Sequence, residues 1–127
     1  MLLTSIVSYV GLKSIIVSYN TENLKNVIKI SADFLTKVES LEKFSQKIHD
    51  KTKYRVTIID ADGKVIVETN EDKTTMDNHS HRYEVMMANK LEFGESVRYS
   101  KTIGVDFLYV AKKIIYKDKS YTLRLSM

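Results

Sequence analysis

The chain has 127 residues, 43% of them hydrophobic, with no cysteine and no proline. That is enough for one domain with a buried core, and it excludes disulfide scaffolds, cysteine nucleophiles and thiolate metal sites while leaving the compartment open. The formal charge is +4 and the pI about 9.2, but the basic residues are scattered, and Lys25, Lys29, Lys37, Lys43 and Lys47 lie on helical stretches rich in acids, the pattern of a solvated face and not of a nucleic-acid partner.

The first eighteen residues, MLLTSIVSYVGLKSIIVS, are largely apolar, yet Lys13 interrupts them, and a spanning helix needs about 20 apolar residues. They read either as the outer end of a transmembrane segment or as an amphipathic helix packed on a partner. Residues 1–23 are accordingly expected to be a juxtamembrane segment of a longer protein, ahead of a domain at 24–127. Asn20, Thr21 and Glu22 are cap candidates, and Leu24, Val27, Ile28, Phe34, Leu35 and Val38 recur at helical spacing, which predicts a long helix. Ser40 restarts a shorter one through Phe44 and Ile48.

Beyond Lys53 the period changes to two. RVTIID (Arg55 to Asp60) and KVIVET (Lys64 to Thr69) predict a hairpin turned at Asp60, Ala61, Asp62 and Gly63. Asn78 to Lys90 returns to helical spacing, with Gly94 as its exit. Three strands follow, at Ser96 to Lys101, Phe107 to Tyr116 and Tyr121 to Leu125. The order α, α, β, β, α, β, β, β predicts an α+β fold, a five-stranded antiparallel sheet with the long N-terminal helix packed on one face, as in PAS-like folds.

Several residues invite a chemical reading. Asp77, His79 and His81 are of metal-ligating type, but an i, i+2 histidine pair diverges on a helix and no second cluster completes four ligands, so no metal is expected. Asn78 and His79 fit better as hydrogen-bonding fixtures of a helix start. Arg82 and Arg98 either converge on an anionic ligand or pair internally, with Glu84 or Asp106 as partners. Tyr83, Tyr99 and Tyr109 either wall a small pocket or pack in the core. Val27, Ser31, Phe34, Val38, Leu41, Ser45 and Ile48 follow alternating steps of four and three, so Val27, Phe34, Val38 and Leu41 are candidates for a two-fold dimer interface, against a single broad core face.

Three segments together carry a resemblance. RVTIIDADGKVIVET, MDNHSHRYEV (Met76 to Val85) and VRYSKTIGVDFLYVAKKI (Val97 to Ile114) resemble the first hairpin, the helix start and the following strand pair of the extracytoplasmic sensing domain of phosphate-responsive (PhoR-type) bacterial sensor histidine kinases. The match places Asn78, His79, Arg82, Arg98, Ser100, Tyr109 and Ala111 on recurrent positions and runs from about Leu24 to Ser126. It implies an extracytoplasmic input domain of a two-component system, dimeric and tethered by flanking membrane segments, with no cofactor. Its ligand positions would be Arg82, Arg98, Tyr99 and Tyr109. The phosphoacceptor helix and the ATP-binding boxes of a kinase have no counterpart in this chain, so it is expected to be non-catalytic and to pass a signal from a small ligand or protein partner to a kinase core elsewhere. The competing readings are a stand-alone small-ligand module of the same PAS-like fold, a metal-dependent hydrolase at Asp77, His79 and His81, and a polyanion binder.

Overall fold

In a computed structural model of the protein, which describes residues 2–100 and 104–127, three α-helices and five strands follow in the expected order. Helix α1 runs from Leu2 to Ala32 without a break, so the apolar start of the chain and the predicted helix form one rod with no interruption at residue 23. Only its second half packs: Thr21, Leu24 and Ile28 are buried, whereas Tyr9, Val10, Leu12, Ile15, Ile16 and Tyr19 are exposed. No helix among the described residues is long and apolar enough to cross a membrane.

The helix ends at Ala32, short of the expected Val38, because a single 3-10 turn at Leu35–Lys37 reverses the chain and buries Leu35 in the core. The Tyr116 hydroxyl, donating to the Val38 and Glu39 carbonyls at 3.2 and 3.0 Å, fixes this turn to the end of a strand. Helix α2, Leu41–Thr52, starts where Ser40 accepts a hydrogen bond from the Lys43 N–H and ends at Lys53, which takes the left-handed conformation (φ 64°). The residues proposed as one dimer seam therefore fall on two helices and the turn between them. Leu41 is buried in the chain's own core, Val27 and Val38 are half-buried against it, and Phe34 alone of the four is exposed.

Strands β1 (Arg55–Asp60), β2 (Val65–Glu68), β3 (Gly94–Ser100), β4 (Val105–Tyr116) and β5 (Lys119–Ser126) form one antiparallel sheet in the order β2-β1-β5-β4-β3. Lys101, the expected end of β3, lies outside the described residues, as does Thr102. One face carries Val56, Ile58, Val67, Leu108, Val110, Leu123 and Leu125, buried under α1 and α2 with Leu24, Ile28, Phe44 and Ile48. This is the α+β sheet with its long helices on one side that the sequence predicted.

The third helix departs from expectation. It spans only Tyr83–Ala88 and lies on the opposite face of the sheet, and residues 76–82 are an irregular segment ahead of it. Backbone bonding explains the difference: the His79 N–H donates to the Gly63 carbonyl at 2.8 Å and the Asn78 side-chain amide to the Asp62 carbonyl at 2.8 Å. Both bonds tie the segment to the β1–β2 turn instead of to a helical ladder. Gly94, expected as a helix exit, opens β3; a Cβ there would run into the Glu84 carbonyl oxygen, so only glycine lets α3 lie this close to the strand.

Candidate functional site

The face away from α1 and α2 carries a small apolar cluster, Ile59, Val65 and Val85 with Met76 against it, and is otherwise largely polar, as strand alternation dictates. Across the sheet, Glu68, Thr57, Arg124, Ala111 and Gly94 are successive partners in one row, and Arg55, Ser126, Tyr109 and Ser96 are partners in the next. Ala111 and Gly94 leave a trough beside Arg124, and α3 lowers Glu84 into it. Arg124 is 2% exposed and Glu84 0% exposed, so two full charges sit at the centre of this face.

Their partners are specific. Arg98 donates from Nη1 to Glu84 Oε2 at 2.7 Å and from Nη2 to Glu84 Oε1 at 2.8 Å, a bidentate fork, while Ser96 Oγ donates to Oε2 at 2.8 Å. Arg124 shares the same carboxylate, donating from Nη1 at 3.2 Å, and bonds Thr57 Oγ1 from Nη2 at 3.1 Å; its Nε has no partner. The Tyr109 ring lies between the two guanidiniums, with the Arg98 Cζ 3.8 Å and the Arg124 Cζ 4.8 Å from its centroid. Beside them Arg55 forks onto the buried Glu68 carboxylate at 2.9 and 3.0 Å.

The protonation of these groups follows. Burial raises the Glu84 carboxyl, but the Arg98 and Ser96 hydrogen bonds outweigh it and bring the pKa down to about 2. Glu68 is lowered by the same contest between burial and the Arg55 fork. Arg98 is raised, chiefly by its bonds to Glu84, whereas Arg124 is lowered because burial outweighs its minor share of that carboxylate. His79 is 3% exposed and lowered by burial and then by the Arg124 cation; its Nδ1 donates to the Asp77 carbonyl at 2.7 Å, which leaves Nε2 as an acceptor in the neutral ring.

Above this cluster is a cavity of about 310 Å³, walled by Arg55, Arg98, Tyr109 and Arg124 from the sheet and by Met76, Asp77, His79 and Arg82 from the irregular segment, with Glu71 and Thr75 at its edge. Three of the four predicted ligand positions, Arg82, Arg98 and Tyr109, meet here. Tyr99 does not: it follows Arg98 on the strand, points to the other side of the sheet and is 63% exposed. Of the two internal partners foreseen for Arg98, Glu84 is the one used, and Asp106 pairs with Lys13 at 2.9 Å. Asn78 and His79 stand four and three residues ahead of Arg82, the residue that precedes α3, so they anchor the cavity wall to the hairpin and do not begin the helix. Among the described residues no three His, Cys, Asp or Glu side chains gather as a metal site.

Arg55, Glu68 and Arg124 were missed in the sequence. Each alternates with the core-facing residues of its strand, so on sequence it reads as an ordinary polar position of the solvent side.

No family model matches this sequence and no curated relative does. Solved structures share its fold at low identity. The ligand-binding domain of the Campylobacter jejuni chemoreceptor Tlp3, in complex with 4-methylisoleucine, superposes with a TM-score of 0.61 at 12% identity, over 87% of this chain and 50% of that one. The extracellular domain of the putative histidine kinase vpHK1S-Z8 gives 0.60 at 15%, over 94% and 54%. The Bacillus subtilis YkuI protein, with an EAL domain, gives 0.62 at 14%, over 98% and 36%. The chain thus spans about half or less of these proteins, and it shares a fold with the sensory domains of chemoreceptors and histidine kinases among them.

Proposed function

We propose that the chain is the extracytoplasmic input domain of a two-component sensor histidine kinase whose kinase core lies outside it, and that the cavity on the polar face is where its signal enters. The observation that carries this reading is the division of labour between the two faces. One holds the two long helices and the main core; the other holds α3, a small apolar cluster and a cavity walled by buried charges, which a domain built only for stability would fill with apolar side chains. The fold shared with ligand-binding sensory domains supports it, and one of those, Tlp3, holds 4-methylisoleucine.

The first half of α1 and the end of β5 lie at the same end of the sheet: Lys13 meets Asp106 at 2.9 Å, and Leu108 and Met127 exchange backbone bonds at 2.9 and 3.1 Å. A shift in the sheet would be felt by both elements together, which suits transmission toward a membrane. The partner that fits α1 is a second copy. Tyr9, Leu12, Ile16, Tyr19, Asn23 and Ile30 fall on one heptad seam, and the large apolar residues among them are exposed. This seam, and not Val27, Val38 and Leu41, is the surface free for pairing.

Replacing residues 24–127 of the full-length protein by a neutral spacer tests the role. Kinase output then becomes fixed whatever the stimulus; a kinase that still responds overturns the assignment.

A further inference from the structure

We propose that the cavity takes a small organic carboxylate, whose single negative charge completes the cluster beneath it. This rests on the reading of the cavity as the sensing site and specifies its ligand class.

Arg55, Arg98 and Arg124 bring three guanidiniums to the sheet face, and Glu68 and Glu84 bring two carboxylates whose side chains are fully buried. Glu84 serves two arginines at once, with the short bonds given to Arg98 and the 3.2 Å contact to Arg124. Arg124 is therefore a buried cation with a minor share of one anion and an Nε–H that nothing accepts, a costly state for a charged donor. Glu71, which approaches Arg55 at 3.4 Å, is 58% exposed, and solvent screens it. At the mouth Arg82 and the Asp77 carboxylate are both exposed, so solvent screens them as it does Glu71, and no ion pair holds Arg82 among the described residues. The cavity that these guanidiniums wall is lined mostly by polar groups, yet the Tyr109 ring and the Met76 side chain give it an apolar strip.

An occupant must then supply one negative charge and a small apolar body. A carboxylate carries one charge and presents two oxygens in the plane that a guanidinium fork matches. Inorganic phosphate has no apolar body to place beside Tyr109 and Met76. A bare halide would neutralise the cluster but leave the space beside Tyr109 and Met76 unfilled. The ligand's charge lies beside four strands, β1 (Arg55), β3 (Arg98), β4 (Tyr109) and β5 (Arg124), so binding reports on the last strand directly.

Calorimetric titration and thermal melting of the 127-residue chain at constant ionic strength test this, with straight-chain carboxylates from acetate to valerate, the matching neutral amides, inorganic phosphate and chloride as probes. Saturable binding and a raised melting temperature are expected with at least one carboxylate, and neither with its amide. Arg82→Ala, an exposed change that leaves the unliganded melting temperature unaltered, weakens binding about tenfold or more, the loss expected of one charged contact. Absence of binding by every carboxylate, equal binding of the amide, undiminished binding by the variant, or preference for phosphate or chloride overturns the proposal. These readouts do not involve the kinase: binding without a role in signalling would remove the sensor assignment and leave the site, and the converse would remove only the ligand class.

Discussion

At Glu84 two opposing effects meet, burial that disfavours its charge and three hydrogen-bonding partners that need it. The partners win, so Glu84→Gln leaves Arg98 and Arg124 beneath α3 without a counter-charge and should cost about 3–5 kcal/mol in urea unfolding at neutral pH. The same balance sets an acid limit. A carboxyl lowered from 4.5 to about 2 binds its proton more weakly when folded than when unfolded. Its stabilisation is complete above the unfolded value and is lost as pH falls from there through about 2. At 1.36 kcal/mol per unit this is roughly 3 kcal/mol, with Glu68 acting in the same direction. Wild-type stability should therefore drop steeply below pH 4.5 and that of Glu84→Gln much less; parallel acid limbs would contradict the assignment. At this scale the sequence was half legible. Arg82, Arg98 and Tyr109 stood out because the resemblance placed them on recurrent positions, whereas Arg124 and Glu68, outside its motifs' recurrent positions, declare themselves only once the register shows Glu68, Thr57 and Arg124 in one row.

Elements were read well where periodicity was long and poorly where hydrogen bonds to distant backbone replaced local ones. The five strands and α2 follow from alternation and from the Ser40 cap. The segment 76–82 has helical spacing on paper, yet the His79 N–H and the Asn78 side-chain amide bond the Gly63 and Asp62 carbonyls sixteen residues away, and no local pattern records that choice. Two substitutions measure such constraints. Lys53 occupies a left-handed position that disfavours a side chain, so Lys53→Gly should raise stability by about 1 kcal/mol in chemical denaturation. Gly94→Ala puts a methyl group against the Glu84 carbonyl and should destabilise by about 3 kcal/mol, the upper end of overpacking costs, with Glu84 displaced from its arginines. A neutral Gly94→Ala would mean that α3 does not lie against β3 as described.

For the whole molecule, the sheet separates a face that stabilises from a face that is poised to bind, and α1 extends beyond both. Exposed apolar side chains along its first half have no use in an isolated domain, so sedimentation should show mass rising with concentration, and Ile16→Glu with Tyr19→Lys should leave a monomer of unchanged melting temperature. An unchanged association in that double variant would place the contact elsewhere. The central claim is that occupancy of the polar cavity reaches the elements leading out of the domain, and amide hydrogen exchange of the 127-residue chain with and without a saturating short-chain carboxylate tests it most directly. Slower exchange is predicted in residues 71–82 and also along β5 from Lys119 to Ser126, where Arg124 joins the cavity to the end of the chain. Protection confined to residues 71–82, with β5 unchanged at saturation, would contradict it.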